Sequence, residues 1–447
     1  MLHKQVLDTQ ARSTEIMNAE LAPSNYVPEE AMVVSSSARL RRTEPSIDLH
    51  PLVRRLLQSE PVHYDAELGC WLVVRHADVA TFLRDERLAV ASAKNLPTGN
   101  TLTEASLAVS SGRWANLLSQ DDPYGHSRML RPAFSQRLMQ VEEPCIRTVA
   151  RQLASRIQLN GGGDLQGEFA VPFALEVVAK FIGLPRETYE DLAGWVQDLS
   201  IPHQAGIQGT LAAFQAQVST ERITRYVQDA LLTREPHTAD NAMSLCRSHV
   251  GGKDDHEVQS LAMAIVTATH AAVEAISAVL TSGLSILMHR PHQLSRLRRD
   301  RRQISAAIEE TLRFDGPEFL VPRVARQDIE LGNLRLSAGE VVMLVQGIAN
   351  RDPAVFVRPD LYSFDRTVSQ HLSFTANPYS GLVSHLVRLS AAVALEEIIL
   401  PLQGLQIADE VPWSEYRSLG NRLTSLLVCA GSEGAYGSRE LNSDMAL

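Results

Sequence analysis

Apolar residues recur at spacings of three and four through most of the chain, which predicts α-helices. Clear examples are HADVATFLRDERL, FALEVVAKFIGL, ISAAIEETLRFD and a long run that starts VQSLAMAIVTATHAAVEAI. The last part of that run, residues 271–288, is nearly long enough to span a membrane. Because it carries Glu274 and follows His270, we interpret the run as a buried core helix.

Alternating patterns typical of strands are few and short. The segments PVHYDAE and GCWLVVR are predicted to pair, and LVPRVARQDIELGNLRLSAGEVVMLVQG indicates several strands joined by turns at Gly332 and Gly339. The fold class predicted is therefore mainly α with a small β lobe. One large domain is expected over residues 45–430, with a weakly structured extension at 1–44 and a loose tail at 431–447.

Composition excludes some classes of function. The chain has 447 residues and a net charge of −10, which argues against a dedicated nucleic-acid binder. A run of five arginines between Arg296 and Arg302 is interpreted as a solvated helix end, with a docking patch as the alternative. The four cysteines are widely spaced, which predicts neither a zinc module nor a disulfide framework. No signal peptide is indicated, so a cytoplasmic location is expected.

A carboxylate and two arginines form the most specific constellation. Glu310 and Arg313 stand three apart in EETLRFDGP, so they share one face of the predicted helix. Arg366, in the later segment ANRDPAVFVRPDLYSFDR, is expected to add a second guanidinium to the same carboxylate. A buried carboxylate held between two arginine side chains fixes geometry well and is costly to break. We therefore predict a structural triad of these residues.

These segments together resemble the bacterial cytochromes P-450, over about residues 50 to 430. The resemblance rests on WLVVRHADVATFLRDERLAV, the triad, PRVARQDIELGNLRLSAGEVV, ANRDPAVF, and HLSF followed at the family's distance by RLSAAVALEE. It implies the family's triangular, mainly helical prism with a small sheet lobe. That architecture agrees with the helices and strands predicted from the pattern alone.

The resemblance also implies that the haem ligand has been lost. In that family a loop after the Phe of HLSF delivers a Cys thiolate to haem iron. Carried over to this chain, the loop is TANPYSGLVS and the ligand position is Gly381, which offers no ligand atom. Thr375 and Asn377 stand at two usual glycines, and Tyr379 stands at the usual His. Neither haem nor another metal is therefore expected as a cofactor.

A second loss is implied in the long central helix. Thr269 stands at the usual Gly, and Ala271 and Ala272 stand where the family has an acid and a Thr that relay protons to bound oxygen. No catalytic residue is therefore expected, and an unbroken helix is predicted there.

Three residues stand at positions where the family contacts the haem propionates. His126, Arg323 and His371 fall there, and we interpret them as vestigial scaffold residues with protein or water partners.

One group that resembles the family shares these departures. These are the cysteine-less auxiliary proteins of glycosyltransferases that attach deoxysugars to macrolide and anthracycline aglycones. The resemblance implies a non-catalytic cytoplasmic protein that binds, stabilises and activates a partner glycosyltransferase within a hetero-oligomer, with no nucleic-acid or membrane partner. Residues 1–44 and the Arg296 to Arg302 run are the candidate contact regions.

Three alternatives stay open. The first is a haem protein acting in oxidation through a surrogate ligand, His385 or Tyr379. The second is a non-redox enzyme that uses His270, Glu274 and Thr269 of the central helix. The third is a domain that recruits oxidases to a peptide-assembly line.

Overall fold

The computed structural model covers most of the predicted domain. It describes residues 56–59, 61–65, 70–90, 126–200, 208–233, 241–248, 250, 252, 254–331, 334–366, 370–376, 378–408 and 425–430. The predicted extension at 1–44 and tail at 431–447 lie outside the described residues, so the predicted domain limits stay a prediction.

Helices dominate the described part of the chain. They are α1 His76–Phe82, α2 His126–Leu130, α3 Gln136–Leu159, α4 Val171–Ile182, α5 Tyr189–Ser200, α6 Gln208–Leu232, α7 Ala242–Arg247, α8 Asp255–Met288, α9 Pro291–Arg299, α10 Ile304–Asp315, α11 Gln346–Ala349 and α12 Pro378–Ile398. The strands are β1 Val62–Asp65, β2 Cys70–Val73, β3 Leu88–Val90, β4 Gly162–Asp164, β5 Val321–Ala325, β6 Ile329–Leu331, β7 Leu334–Leu336, β8 Val341–Leu344, β9 Leu405–Ile407 and β10 Leu427–Ala430.

Helix α8 is the centre of the helical body. It begins with a capping box, in which the Asp254 side chain accepts from the Glu257 N–H at 2.8 Å and Glu257 accepts from the Asp254 N–H at 3.3 Å. It then runs unbroken for 34 residues, about 51 Å at the usual helical rise. Helices α4, α6, α10 and α12 pack around it. The most apolar 18-residue stretch of the helix is 72% buried inside the protein, which is typical of a core helix.

The strands form a small lobe beside the helices. A five-stranded sheet has the order β1-β2-β8-β5-β3, in which β2 and β8 are parallel and the other pairs are antiparallel. The predicted pairing near the start is present, with Val62 opposite Val73. Strands β4, β10 and β9 form a second sheet, and β6 pairs with β7. The prediction of a mainly α fold with a small β lobe is confirmed.

The segment before α12 lies where the two hydrophobic cores meet. Phe374 packs in the large helical core, whereas Leu372 and Ala376 pack in the core of the β lobe. Phe374 has a φ of 69°, a left-handed conformation that is rare for a bulky residue. Such conformations persist where the surroundings impose them and are concentrated at functional sites. Because these neighbouring residues pack in both cores, the segment that leads into α12 is held by the helical body and by the β lobe.

Candidate functional site

The structure brings the three triad residues together. The Arg313 side chain is fully buried and donates to Glu310 through Nε and Nη2, both at 2.8 Å. Arg366 Nε donates to both Glu310 carboxylate oxygens at 3.1 Å. The remaining guanidinium donors bind backbone carbonyls, among them those of Asn350 and Pro359. The triad thus attaches α10 to the irregular segment that follows α11.

The first turns of α12 present one buried side chain that can bind iron. Gly381 is exposed, and a Cβ added there would lie 3.5 Å from the Phe374 carbonyl oxygen, an ordinary contact. His385, one helical turn later, is exposed as well. Tyr379 is only 4% exposed and packs in the helical core. Of the two surrogate ligands predicted, the tyrosine is therefore the one that lies inside the protein.

The central helix offers little polar chemistry to this region. Ala272 is fully buried, and Ala271 is half-buried against the helical core. The Thr269 hydroxyl donates to the Ile265 carbonyl of its own helix at 2.7 Å. That hydrogen bond engages the hydroxyl within α8, as is common for threonine inside helices.

His270 and Glu274 form a separate pair on α8. Their side chains are half-buried, and Nε2 of the histidine lies 3.9 Å from Oε1 of the glutamate. The Thr269 hydroxyl is hydrogen-bonded within its own helix, so it does not form a nucleophile and base pair with His270 or Glu274. The hypothesis of a non-redox enzyme has no support from this geometry.

The three residues at propionate positions have protein partners. His126 Nε2 lies 3.0 Å from the Ser260 hydroxyl on α8. His371 Nε2 lies 3.0 Å from a carboxylate oxygen of Glu309. The Arg323 guanidinium donates to the Ala376 carbonyl just before α12. The last two residues thus hold the segment that leads into α12.

Glu309 connects α10 to this segment and to α12. Its carboxylate also accepts from Arg388 Nε at 2.6 Å. Burial alone would raise the pKa of Glu309, but hydrogen bonds from His371 and Arg388 hold it at about 2. This bridge was not predicted from the sequence, because its members are 62 and 79 residues apart.

Glu318 is a second acidic residue that the sequence analysis missed. It lies between α10 and β5, and its Oε2 is sealed from solvent and has no hydrogen-bond partner among the described residues. Burial raises the pKa of Glu318, and hydrogen bonds from Ser380, the Phe374 backbone and Gln346 offset part of that effect. The available signal was a lone charged residue in the otherwise apolar segment PEFLVP.

Comparison with solved structures identifies this architecture. The crystal structure of P450BioI in complex with hexadec-9Z-enoic acid ligated acyl carrier protein matches with a TM-score of 0.72 and 25% identity, over 89% of this chain and 100% of that one. The chain has the cytochrome P450 fold. In addition, a family model described as Cytochrome P450 matches residues 211–367.

Curated relatives agree with the P450 fold. The chain is 29% identical over 353 residues to a biotin biosynthesis cytochrome P450 of Bacillus subtilis (strain 168), covering 76% of this chain and 85% of the relative. It is 27% identical over 387 residues to nocardicin C N-oxygenase of Nocardia uniformis subsp. tsuyamanensis, covering 83% and 93%. These matches support membership of the cytochrome P450 superfamily, with relatives in biosynthesis. The predicted cytoplasmic location stays a prediction.

Two predictions are contradicted by these relatives. The prediction that the chain is not an enzyme is wrong, because the P450s that it resembles include an oxygenase. The prediction of no haem is also wrong in this light, because cytochromes are haem proteins. The physical reason is that one missing ligand atom does not decide the cofactor, since haem iron accepts His, Tyr and Met as well as Cys.

The described residues do not fit a haem held by a thiolate. Gly381 has no donor atom, and Ala272 on α8 and Val383 on α12 are both fully buried in one continuous core. Side chains therefore pack directly between these two helices, and they would have to move apart to admit any haem. Tyr379 is the residue of this region that would hold the group, and haem when bound would supply one-electron and oxygen chemistry.

Proposed function

We propose that this P450-fold protein acts in oxidation within a biosynthetic pathway, with a haem whose axial ligand is Tyr379. The observation that carries the proposal is the burial of Tyr379 at the start of α12, two residues before the exposed Gly381. A tyrosine phenolate is an established haem ligand. Oxidation is also the activity named for the relative nocardicin C N-oxygenase.

The test is haem uptake by matched variants. The chain is expressed with added haem precursor and purified, and its haem absorption is measured per protein. We expect Tyr379→Phe to weaken haem binding by at least about tenfold, whereas His385→Gln, on the exposed face, leaves it unchanged. A parent protein that stays colourless after haem is added would disprove the proposal. Equal haem binding by Tyr379→Phe would disprove the ligand assignment.

A second candidate function is to bind, stabilise and activate a glycosyltransferase that transfers a deoxysugar to a polyketide aglycone. The observation that favours it is the chemistry of α8, where Ala271 and Ala272 carry neither acid nor hydroxyl and Thr269 is bonded within the helix. Binding a partner needs only shape and surface. This role does not depend on whether the chain also holds haem.

Mass action explains how such binding would raise a partner's activity. A chain that binds only the active, folded form of an enzyme stabilises that form by about 2.7 kcal/mol at a hundredfold excess over the dissociation constant. The interface would bury at least about 1,000 Å². Of the five arginines proposed as contacts, Arg299, Arg301 and Arg302 are exposed. Arg302 pairs with Asp300, whereas Arg296 and Arg298 bind Asp365 and the Ile399 carbonyl.

Co-expression with a deoxysugar glycosyltransferase tests this second function. We expect a soluble complex, and a transfer rate that exceeds that of the glycosyltransferase alone. The variant Arg299→Ala/Arg301→Ala is compared with Arg335→Ala, which removes an arginine from an exposed pair on the β lobe. No gain in solubility or transfer rate with the parent chain would contradict the function. Equal behaviour of the two variants would contradict only the contact region.

A further inference from the structure

Two guanidinium groups of the triad hold one surface loop, residues 351–366, from inside. Arg366 donates to three carbonyls of the loop at distances between 2.7 and 2.9 Å, and Arg313 donates to a fourth at 2.8 Å. The four carbonyls belong to Val357, Arg358, Leu361 and Pro359. Because both arginines also bind the buried Glu310 carboxylate, the loop backbone is fixed to the protein interior.

The side chains of the same loop are exposed. Val357 is 80% exposed and Leu361 is 51% exposed. One exposed apolar side chain is ordinary, but here two stand four residues apart on a backbone that the triad fixes. Arg358, between them, is exposed and has a φ of 50°, a left-handed conformation that costs free energy in residues other than glycine. The loop thus presents apolar side chains to solvent in a fixed arrangement.

Helix α9 places arginines beside this loop. Arg296 pairs with Asp365 of the loop at 2.6 Å, and its guanidinium lies over the Phe364 ring. Arg299 stands three residues later on the same face of the helix, and Arg301 begins the short 3₁₀ turn that follows. Both Arg299 and Arg301 are exposed, and neither has a carboxylate partner among the described residues. Uncompensated cations therefore border the apolar side chains of the loop.

The charge of this region is opposite to that of the chain. Residues 290–302 contain six arginines and one acid, whereas the whole chain has 42 lysines and arginines against 52 acids. Like charges held close together repel one another, so a partner that brings carboxylates is favoured here. Protein interfaces commonly combine an apolar centre with arginine, and a guanidinium binds a carboxylate through two parallel hydrogen bonds. The surface therefore fits an acidic partner with an apolar contact.

We propose that residues 290–302 and 351–366 form one docking surface, the loop–α9 surface, for a partner protein that presents carboxylates around an apolar contact. Val357 and Leu361 supply the apolar centre, and the exposed arginines supply the cationic rim. The triad gains a second role, because it holds the loop in shape before the partner arrives and so reduces the ordering cost of binding. The choice of a glycosyltransferase as the partner rests on the second candidate function, whereas the surface itself does not.

The cationic side of the loop–α9 surface lies far from the proposed haem ligand. Arg298 Nε donates to the Ile399 carbonyl at 2.8 Å, just beyond the C-terminal end of α12. Tyr379 is at the opposite end of that helix, 20 residues and about 30 Å away. A partner can therefore dock on this side without contacting the start of α12.

The first experiment uses a synthetic probe. A fluorescent helical peptide, with glutamates on one face and leucines on the other, is titrated into the full chain at low and at high salt. We expect Val357→Ser/Leu361→Ser to bind it about three- to tenfold more weakly at both salt concentrations, because apolar contacts are not screened. Arg299→Glu/Arg301→Glu should lose about tenfold at low salt and much less at high salt.

Two matched double variants control for exposure and charge. Leu159→Ser/Leu232→Ser removes side chains that are 85% and 49% exposed on α3 and α6. Arg84→Glu/Arg335→Glu reverses two exposed arginines of the β lobe. Both controls are expected to bind the peptide as the parent chain does, and equal thermal midpoints establish that all four variants fold.

The second experiment replaces the peptide with a purified deoxysugar glycosyltransferase. We expect Arg299→Glu/Arg301→Glu to slow association at low salt by about tenfold, because charge complementarity acts mainly on the association rate. Val357→Ser/Leu361→Ser should instead speed dissociation about three- to tenfold. Sedimentation of the parent chain alone, at low salt, shows whether a second copy occupies the surface.

The outcomes separate this inference from the second candidate function. Weaker binding of either probe by the surface variants, but not by the controls, supports the loop–α9 surface. If only the peptide binds, the surface is supported and the glycosyltransferase function is contradicted. A glycosyltransferase complex that the surface variants leave unchanged, with equal peptide binding by variants and controls, overturns the inference and leaves that function standing. Self-association of the parent chain that Arg299→Glu/Arg301→Glu abolishes would assign the surface to a second copy, which overturns the acidic partner.

Discussion

At the scale of single residues, the Glu310 carboxylate has the most complete set of donors in the described part of the site. Besides two guanidinium groups, it accepts from the Ser363 N–H at 2.8 Å. Its side chain is 2% exposed. A charge so far from water is stable only while its partners remain, because the interior does not replace the lost hydration.

Removal of one arginine from this triad is expected to be severe. Arg313→Ala leaves the buried Glu310 carboxylate with one of its two guanidinium partners and leaves the carbonyls that Arg313 binds without a donor. We therefore expect a loss of about 3–5 kcal/mol in unfolding free energy. Urea denaturation measures it. Arg335→Ala, which breaks the exposed pair with Glu330, is the matched control and is expected to leave the urea midpoint unchanged. Similar midpoints for both variants would contradict the assigned role of the triad.

The residue that replaces the family ligand gives a different kind of prediction. Because position 381 is exposed and an added Cβ meets no severe contact, Gly381→Cys should fold normally and carry one more thiol that reacts rapidly with a thiol reagent. Mass spectrometry of the native, labelled protein counts the reacted thiols. The buried Cys70 and Cys246 are internal references for slow reaction. An unreactive thiol at 381 would show that this position faces the interior.

Residue spacing explains which parts of the site were predictable. Glu310 and Arg313 are three apart, and local geometry alone makes them meet. Their contact with Arg366 was predicted from the later segment ANRDPAVFVRPDLYSFDR. The surroundings of Glu318 were not predictable, because its partners come from strand β5 and helix α12 and no local pattern encodes their meeting. The positive φ of Phe374 was likewise not predictable, since sequence propensity assigns that conformation to glycine.

At the scale of elements, Glu309 joins three pieces of the chain. It lies on α10, accepts from Arg388 on α12, and pairs with His371 in the segment before α12. This arrangement is repeated elsewhere, since Arg147 on α3 binds Glu396 and Glu397 at the end of α12. The middle and the C-terminal end of α12 are thus tied to neighbouring helices by ionic hydrogen bonds.

The Glu309 bridge predicts a pH dependence. Its pKa falls from the usual 4.5 to about 2 on folding, so the folded state is favoured by ionisation. The stabilisation is complete above pH 4.5 and is lost as the pH falls from 4.5 towards 2. Unfolding midpoints in urea, measured across this range, should fall less steeply for Glu309→Gln than for the parent chain. Parallel curves for the two proteins would contradict the bridge.

At the scale of the whole molecule, one large core joins α8 to most of the helices around it. Local stability follows from this arrangement, because backbone amides exchange slowly where opening requires much of the core to separate. We expect the slowest hydrogen exchange in residues 261–287 of α8 and much faster exchange in the small β6–β7 pair. Exchange monitored by mass spectrometry tests this order. Fast exchange in the middle of α8 would show that the central helix opens locally.

The whole-molecule architecture was the part that the sequence predicted best. Long periodic helices and the short β1–β2 pairing follow from apolar spacing, and the P450 fold agrees with both. The cofactor and the lack of enzyme activity were predicted wrongly, because the inference ran from a few positions, Gly381 with its loop and Ala271 and Ala272 of the central helix. Cofactor binding depends on every group around a site.

The exposure of Gly381 and His385 to solvent has a practical consequence. The two positions are four residues apart on one exposed face of α12, so their side chains are neighbours on the helix surface. A second imidazole introduced by Gly381→His would therefore give a two-point chelate for a copper ion, outside the hydrophobic core. Distances from such a paramagnetic centre to labels elsewhere would report how α12 moves when the protein meets a ligand or another chain.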